Sequence, residues 1–199
     1  MGRLDLADPA VKLPQASIPT AILAASKGAA MARVLNGRHM ADVSELGDEV
    51  VVFIVGMRLN KPLKLSRWWP VMSAMAKMLK YLDENPDKGL LGCRISYLPP
   101  FAIQYWRSFQ DLERFARDAD DPHLEPWRQY NRRVGKSGDL GLYHETYRVK
   151  TSDIETGYTN MPPYGLAAVT AMVPVPHGMH SAAARMGVTD RDEPALPPY

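Results

Sequence analysis

The segment from residue 105 to residue 149 restricts the fold more than any other part of this sequence. It contains the end of a strand, a capped helix, a second short helix and a closing strand, in that order. Ser108 is a favourable N-cap residue for the first helix, and an acidic residue follows in the first turn at Asp111. Residues 141–149 alternate between two faces, as in a strand. This segment therefore predicts the second half of a mixed α and β domain.

The preceding segment predicts the first half of the same domain. Residues 49–60 are predicted to form a strand, because their Val, Ile and Phe residues follow one another without polar interruption, which is typical of a buried strand. A helix is expected from Ser66 as its N-cap, with its core face formed by Trp69, Met72, Ala76, Leu79 and Leu82. Residues 89–98 and 101–106 then form two strands around a Pro-Pro turn, which indicates an antiparallel hairpin.

The predicted order is therefore β-α-β-β-α-β, which indicates a ferredoxin-like α+β fold. Such a fold has an antiparallel sheet with its helices on one face. The other face of the sheet must also be covered, and we expect a second copy of the chain to cover it, as a homodimer. We expect an N-terminal arm and small helix over residues 1–30, the ferredoxin-like domain over 31–168, and a C-terminal arm or tail over 169–199.

Composition excludes several classes of partner. The net charge of +2 is too small to predict binding to nucleic acid. The longest apolar run is too short to span a membrane, so we expect no membrane partner. Cys93 is the single cysteine and has no intrachain partner for a disulfide. Together with an N-terminus unlike a signal peptide, this favours a cytoplasmic protein.

Two histidines are the main candidates for chemistry. His144 is expected on the helix-facing side of the last strand, where it would line a cavity between sheet and helices. It could act as a general acid–base there, or it could be a buried histidine with a structural hydrogen bond. His123 begins the second short helix. It could cap that helix or bond Asp120 or Asp121, or it could ligate a metal.

Other candidates could bind the anionic or aromatic parts of a ligand. Arg67, Arg107 and Arg148 are possible anchors for a carboxylate, although surface arginines are often only solvated. Among the four tryptophans, which we expect mostly in the core and at interfaces, Trp127 is the candidate for contact with a flat ligand. No zinc spacing, phosphate-binding loop or nucleophile elbow is present.

Several short motifs resemble a known group of proteins. They are RWWPV at residues 67–71, YWRS at 105–108, HETY at 144–147 and NMPP-x-GL at 160–166. Together they resemble the monooxygenase-like proteins of the dimeric α/β-barrel superfamily, over about residues 31–168. The order YWRS, His, LYHE also resembles the C-terminal half of the haem-dependent aldoxime dehydratases, which belong to the same superfamily.

The resemblance implies a dimeric α/β barrel that binds a small-molecule substrate. By similarity to the dehydratases, His123 would be the axial haem ligand and His144 the catalytic group. Arg67 and Arg148 would assist at the substrate, and Trp127 and Arg107 would contact the cofactor. The substrate would then be an oxime, a hydroxylamine or another N–O compound. Two alternatives remain: a cofactor-free monooxygenase of an aromatic substrate, and a dimeric ligand-binding protein without catalysis.

Overall fold

The structure, a computed structural model, describes residues 33–121, 124–133 and 136–194. The predicted N-terminal arm and its small helix lie outside these residues. The strands are β1 (Leu35–Asp42), β2 (Glu49–Leu59), β3 (Leu90–Tyr97), β4 (Pro100–Trp106), β5 (Leu140–Lys150), β6 (Tyr158–Met161) and β7 (Ala171–Pro174). The helices are α1 (Leu65–Glu84), α2 (Phe109–Arg117), α3 (Leu124–Arg133) and α4 (Ala182–Arg185).

The central sheet has four strands in the order β3-β4-β2-β5, and every neighbouring pair is antiparallel. With α1 between β2 and β3, and α2 and α3 between β4 and β5, the chain order is that of a ferredoxin-like α+β fold. The sequence prediction of the fold is therefore confirmed. Val55 pairs with Ala102 on one side and with His144 on the other, which fixes the register across three strands.

A core cluster joins one face of this sheet to the helices. Val51 and Trp106 are fully buried, and they pack with Leu82 of α1 and with Leu112 and Phe115 of α2. Because side chains of a strand alternate between faces, this cluster identifies the helix-side face of all four strands. Each large side chain buried here contributes about 1.5–3 kcal/mol to folding.

The two long helices begin in different ways. Ser108 caps α2 as predicted, because its Oγ accepts a hydrogen bond from the backbone N–H of Asp111 at 3.1 Å. The prediction for α1 is wrong: the helix begins at Leu65, and Ser66 lies inside it. Trp69 was predicted in the core, yet 43% of its surface is exposed, because the neighbouring Trp68 is the residue of this turn that packs against Met57 and Leu140.

A second sheet, which the sequence did not predict, has the strand order β6-β1-β7. A cluster of Ala41, Leu166 and Ala167 joins this sheet and the 3-10 turn Gly165–Ala168 to Tyr105, on the far face of the central sheet. The expectation that the chain has no layer of its own for that face is therefore wrong at this end. The predicted boundary at residue 168 falls just before β7.

On the far face, Val169 lies so close to β3 that the strand requires a glycine at position 92. A Cβ atom added to Gly92 of β3 would lie 2.1 Å from Cγ1 of Val169. Two non-bonded carbon atoms cannot approach so closely. Only a glycine therefore allows the segment after β6 to lie against β3. The short helix α4 follows, capped by Ser181 Oγ, and Arg185 pairs with Glu155.

Candidate active-site cavity

A cavity of about 790 Å³ lies between the helix-side face of the central sheet and helices α1, α2 and α3. This volume is within the range of small-molecule binding sites in proteins. The side chains around it are mostly apolar, and several are methionines of α1. Residues that line it include Phe53, Val55, Met72, Met75, Met78 and Leu142. Such walls suit an apolar ligand body, with a few polar groups to orient it.

The pleat of β5 directs His144 into this cavity. His144 pairs with Val55, two residues from the Phe53–Thr146 pair, so it shares a face with Phe53 and Thr146. Its ring centroid lies 5.7 Å from that of Phe53, and its side chain is partly open to solvent at the edge of the sheet. The prediction that His144 lies on the helix side is confirmed. Its position provides one imidazole on a mostly apolar wall.

Arg67 of α1 also lines the cavity, next to a buried carboxylate. The side chain of Asp139 is only 3% exposed and forms ion pairs with Lys61 and Lys64, each at 3.0 Å. The Nε atom of Arg67 lies 3.9 Å from the same carboxylate. Hydrogen bonds from Lys61 and Lys64 lower the pKa of Asp139, which keeps it ionised and fixes the start of α1 against the start of β5.

Arg148 and Arg107 are not among the described residues that line this cavity. Arg148 is on the helix-side face, but its guanidinium forms a two-pronged pair with Glu49, with the shortest contact at 2.8 Å. Arg107 donates to Asp111 Oδ2 at 2.9 Å and to the backbone oxygen of Asp87 at 3.1 Å. The structure therefore does not bring either arginine to His144, because carboxylates or carbonyls nearby bind both.

Trp127 of α3 lines the cavity as the sequence suggested, and its indole stacks on Tyr130 with centroids 5.6 Å apart. The hydroxyl of Tyr130 donates to the backbone oxygen of Leu140, which ties α3 to β5. His123, the predicted haem ligand, lies outside the described residues. Its expected role therefore stays a prediction.

Some polar residues of the cavity were missed by the sequence analysis. Gln104 lies on the helix side of β4, is 5% exposed, and accepts a hydrogen bond from Trp106 Nε1 at 2.9 Å. Thr146 lies two residues after His144 on the same face. The signal for both was the strand alternation, which puts every second residue of β4 and β5 on the helix side.

Cys93, the single cysteine, is not activated. Burial raises the pKa of its thiol to about 12, so the thiol is protonated at neutral pH. This agrees with its expected role as an inert strand residue.

The part of the sequence that forms the cavity also shows the family to which the chain belongs. The sequence pattern of the family described as "Monooxygenase af470-like" matches residues 50–166, which include β2 to β6 and the whole cavity. The chain belongs to this family. Monooxygenase af470 of Aspergillus fumigatus is 28% identical over 157 residues, which is 67% of this chain and 54% of that protein. The chain thus spans about half the length of this curated relative.

Among solved structures, an aldoxime dehydratase crystallised with butyraldoxime has a TM-score of 0.50 and 20% identity. The match covers 66% of this chain and 41% of the dehydratase. A second aldoxime dehydratase has a TM-score of 0.47 and 20% identity, covering 72% of this chain and 47% of that one. The first match shows that this monooxygenase af470-like chain shares its fold with part of an aldoxime dehydratase.

No helix in the described ranges is both long enough and apolar enough to cross a lipid bilayer. Within the same ranges, no group of three or more His, Cys, Asp or Glu side chains is arranged to hold a metal ion.

Proposed function

We propose that this chain is a monooxygenase that binds a mainly apolar organic substrate in the helix-side cavity and uses His144 as its acid–base group. The observation that carries the proposal is the position of one imidazole on the apolar wall of a cavity of about 790 Å³. The family relationship supports it, because the curated relative is itself named a monooxygenase.

The chemistry of monooxygenation explains why an imidazole is useful there. A neutral imidazole can accept a proton from an acidic O–H or C–H group of the substrate. The anion that remains is rich in electrons and can transfer them to O₂. One oxygen atom then enters the product and the other leaves as water, so an activated CH₂ group becomes a C=O group. Since His144 is partly open to solvent, it can pass the proton on to water.

Several cavity residues would orient the substrate. Phe53 stands beside His144, so an aromatic substrate ring has a ring to pack against. Gln104 and Thr146 are the polar groups on the same side of the sheet, and each can hydrogen-bond a substrate oxygen. Methionine side chains of α1 form the opposite wall, and their flexibility lets the cavity adapt to ligand shape.

The test is oxygen uptake with a panel of electron-rich phenols and naphthols. We expect His144→Ala to lower kcat by about 10²–10⁴, which is the usual contribution of a general acid–base. His177→Ala is the matched control, because His177 is exposed and does not line the cavity. A His144→Ala protein that turns over at the rate of the His177→Ala protein would contradict the proposal.

A second candidate is a haem-dependent enzyme acting on an oxime or another N–O compound. The observation that favours it is a mostly apolar cavity of about 790 Å³ that is lined by both His144 and Arg67. These residues fit the body and one propionate of a haem, with His123 as the residue that would hold the iron. Bound haem would supply the iron centre, and His144 would give or take a proton at the substrate oxygen.

An absorption spectrum of protein produced with added haem tests this candidate. A Soret band that His123→Ala abolishes and His144→Ala preserves would establish it. The absence of a Soret band after haem supply would eliminate the haem candidate and leave the monooxygenase proposal in place.

We also propose that the chain forms a homodimer. Tyr143 and Tyr147 on the far face of β5 are each about half exposed, and β5 is an edge strand of its sheet. A long unprotected edge strand with exposed aromatic residues favours pairing with another chain. Light scattering coupled to size-exclusion chromatography should give twice the chain mass, and a Tyr147→Lys variant should shift it to the monomer.

A further inference from the structure

Gln104 is a buried polar side chain among the mostly apolar walls of the cavity. It lies on the helix-side face of β4, lines the cavity and is 5% exposed. Its side-chain amide has one acceptor atom, Oε1, and two hydrogen atoms to donate on Nε2. Because buried polar groups are normally hydrogen-bonded, the partners available to each end of this amide indicate what the cavity binds.

Trp106 fixes the orientation of this amide. Its indole Nε1, which can only donate, gives a hydrogen bond to Oε1 of Gln104 at 2.9 Å. Trp106 is fully buried and packs against Phe115, with ring centroids 5.7 Å apart, so the indole is held in place. A rotated amide would bring its own N–H groups against the indole N–H. The oxygen of Gln104 is therefore committed to Trp106, and the Nε2 end is left for a ligand.

The Nε2 atom of Gln104 contacts open space. Within the described ranges, no protein atom accepts a hydrogen bond from it. In the same ranges, His180 Nδ1 is the buried side-chain atom that lacks both solvent contact and a hydrogen bond, so Nε2 of Gln104 has some accessible surface. Since the rest of the residue is buried, the space that Nε2 contacts is the cavity.

The neighbours of Gln104 across the sheet leave this amide nitrogen available to a ligand. Cys93 pairs with Gln104 on β3, and burial raises the pKa of the Cys93 thiol to about 12, so no thiolate competes as an acceptor. Phe53 pairs with Gln104 on β2, and the Phe53 ring lies 5.7 Å from that of His144 on β5. Because β2 lies between β4 and β5, a ligand packed on Phe53 has the amide nitrogen on one side and the imidazole on the other.

We infer that Gln104 determines the specificity of this cavity by donating a hydrogen bond from Nε2 to a carbonyl oxygen of the substrate. The substrate class is then an apolar carbonyl compound. A carbonyl suits this donor because it accepts a hydrogen bond without bringing a charge or a further donor into an apolar cavity. Trp106 is a positioning residue, since it acts through the amide of Gln104. This inference rests on the proposed function, because it names the substrate class of the same cavity.

The binding test compares benzophenone with 1,1-diphenylethene, which have nearly the same shape but carry a C=O and a C=CH₂ group. Equilibrium dialysis gives the affinity of the full chain for each probe, below the solubility limit of both. Because the alkene is the more apolar probe, the informative quantity is the ratio of the two affinities in each protein. Gln104→Met keeps the length of the side chain and removes its N–H donors. It should lower the benzophenone affinity about two- to tenfold relative to the alkene, as is usual for one neutral hydrogen bond.

Ser73→Ala is the matched control for the loss of a polar group from the cavity wall. Ser73 also lines the cavity, but its hydroxyl already donates to the backbone oxygen of Pro70 at 3.0 Å. The affinity ratio of this variant should therefore equal that of the wild type. Trp106→Phe keeps a ring in the core and removes the indole N–H. Since the amide can then rotate, the ratio should fall, but by less than in Gln104→Met.

Infrared spectroscopy separates a hydrogen bond from a change in packing. With benzophenone labelled with ¹³C at the carbonyl, an isotope difference spectrum gives the C=O stretching frequency of the bound ligand. A donated hydrogen bond weakens the C=O bond, so the frequency in the wild-type protein should lie below that in cyclohexane. In Gln104→Met it should return towards the cyclohexane value. The wild-type measurement needs no variant, so it decides the question even if Gln104→Met does not fold.

The outcomes distinguish this inference from the proposed function. A C=O frequency in the wild-type protein equal to that in cyclohexane would overturn the role of Gln104 and leave the monooxygenase proposal in place. An affinity ratio that is the same in Gln104→Met, Ser73→Ala and the wild type would do the same. Failure of both probes to bind the wild-type protein would overturn the cavity as a substrate site, and the proposed function with it.

Discussion

The two faces of the central sheet are covered in different ways: a cavity lies on the helix side, whereas the far face has a very close contact at Gly92. On the helix side, the packing is tight at the end of the sheet where Val51 and Trp106 are fully buried, and a cavity that Trp106 itself helps to line extends from there to Val55 and His144. On the far face, the segment before β7 comes so close to β3 that only Gly92 fits beneath it. The comparison indicates that the helix side holds the candidate ligand cavity, whereas the contact at Gly92 fixes the end of the chain against the far face. Stability should therefore depend most on the tight contacts, and binding on the cavity.

The largest effect should come from the tight end of the helix side. Trp106→Ala should lower the free energy of unfolding by about 3–5 kcal/mol, because it empties a fully buried site against Phe115 and removes the hydrogen bond to Gln104. Urea unfolding followed by circular dichroism measures this loss. Trp127→Ala is the control: Trp127 lines the cavity and is 46% exposed, so about 1 kcal/mol is expected. Equal losses in the two variants would contradict the difference between the tight end and the cavity.

The next effect should come from the far face. Gly92→Ala should cost about 1–3 kcal/mol, because its new methyl group must displace Val169. The matched control is Gly141→Ala in β5, where the nearest atoms to an added Cβ lie 3.9 Å away and the change should stay within about 0.5 kcal/mol. Thermal unfolding of both variants checks this, and a Gly92→Ala protein as stable as the wild type would show that the far-face cover can move away.

A smaller effect on stability is expected at the N-terminus of α2. Ser108→Ala should cost about 1 kcal/mol, because it removes the cap of α2. Ser66→Ala is a demanding control, since Ser66 also precedes an apolar stripe but lies inside α1 and caps nothing. That substitution should be neutral within about 0.5 kcal/mol in the same denaturant titration. A similar cost for both serines would mean that the hydrogen bond of Ser108 does not stabilise α2.

The residues at this cap also make the free energy of unfolding depend on pH. Burial of Asp111 favours its neutral form, but hydrogen bonds from Arg107 and Ser108, with the charges of Arg107 and Arg114, outweigh burial and lower its pKa. A carboxylate with a lowered pKa stabilises the fold above the pKa of about 3.9 of the unfolded chain, and this contribution is lost as pH falls below that value. Ser108→Ala should make the loss of stability between about pH 4 and pH 2 shallower, which acid titrations of the unfolding free energy can measure.

The smallest stability effect should be at His144, the proposed acid–base group. His144→Ala should change the free energy of unfolding by less than about 0.5 kcal/mol, because the side chain is exposed on an edge strand. His39→Ala is the contrast: His39 is 9% exposed within β1, so its removal should be more costly. A large loss of stability in His144→Ala would give His144 a structural role and weaken its assignment as the acid–base group.

Local patterns predicted the strands of the central sheet and the order of its elements well. The apolar run of β2, the turn before β4 and the Ser108 cap are each set by residues close in sequence, so a single sequence reveals them. The alternation of β5 was enough to place His144 on the helix side. Those predictions depend only on period and on local hydrogen bonds, which explains their success.

Contacts between distant segments explain what the sequence could not predict. The strand β1 has no clear alternation and forms only because β6 and β7, from the end of the chain, pair with it on both sides. Arg148 was expected at His144, but Glu49, 99 residues away, binds it. The ion pair between Lys64 and Asp139 likewise joins residues 75 positions apart, so it could not be derived from local patterns.

Because the pKa of Cys93 is raised, the rate at which its thiol is modified can report local opening of β3. Burial raises the pKa of this thiol to about 12, so the thiol is almost entirely protonated at pH 8 in the folded state. A thiol-specific reagent will therefore modify the folded protein very slowly, and the modification rate will follow the fraction of molecules in which β3 has opened. Because Cys93 is the only cysteine, mass spectrometry of a labelling time course reads the opening of β3 directly, without any engineered probe.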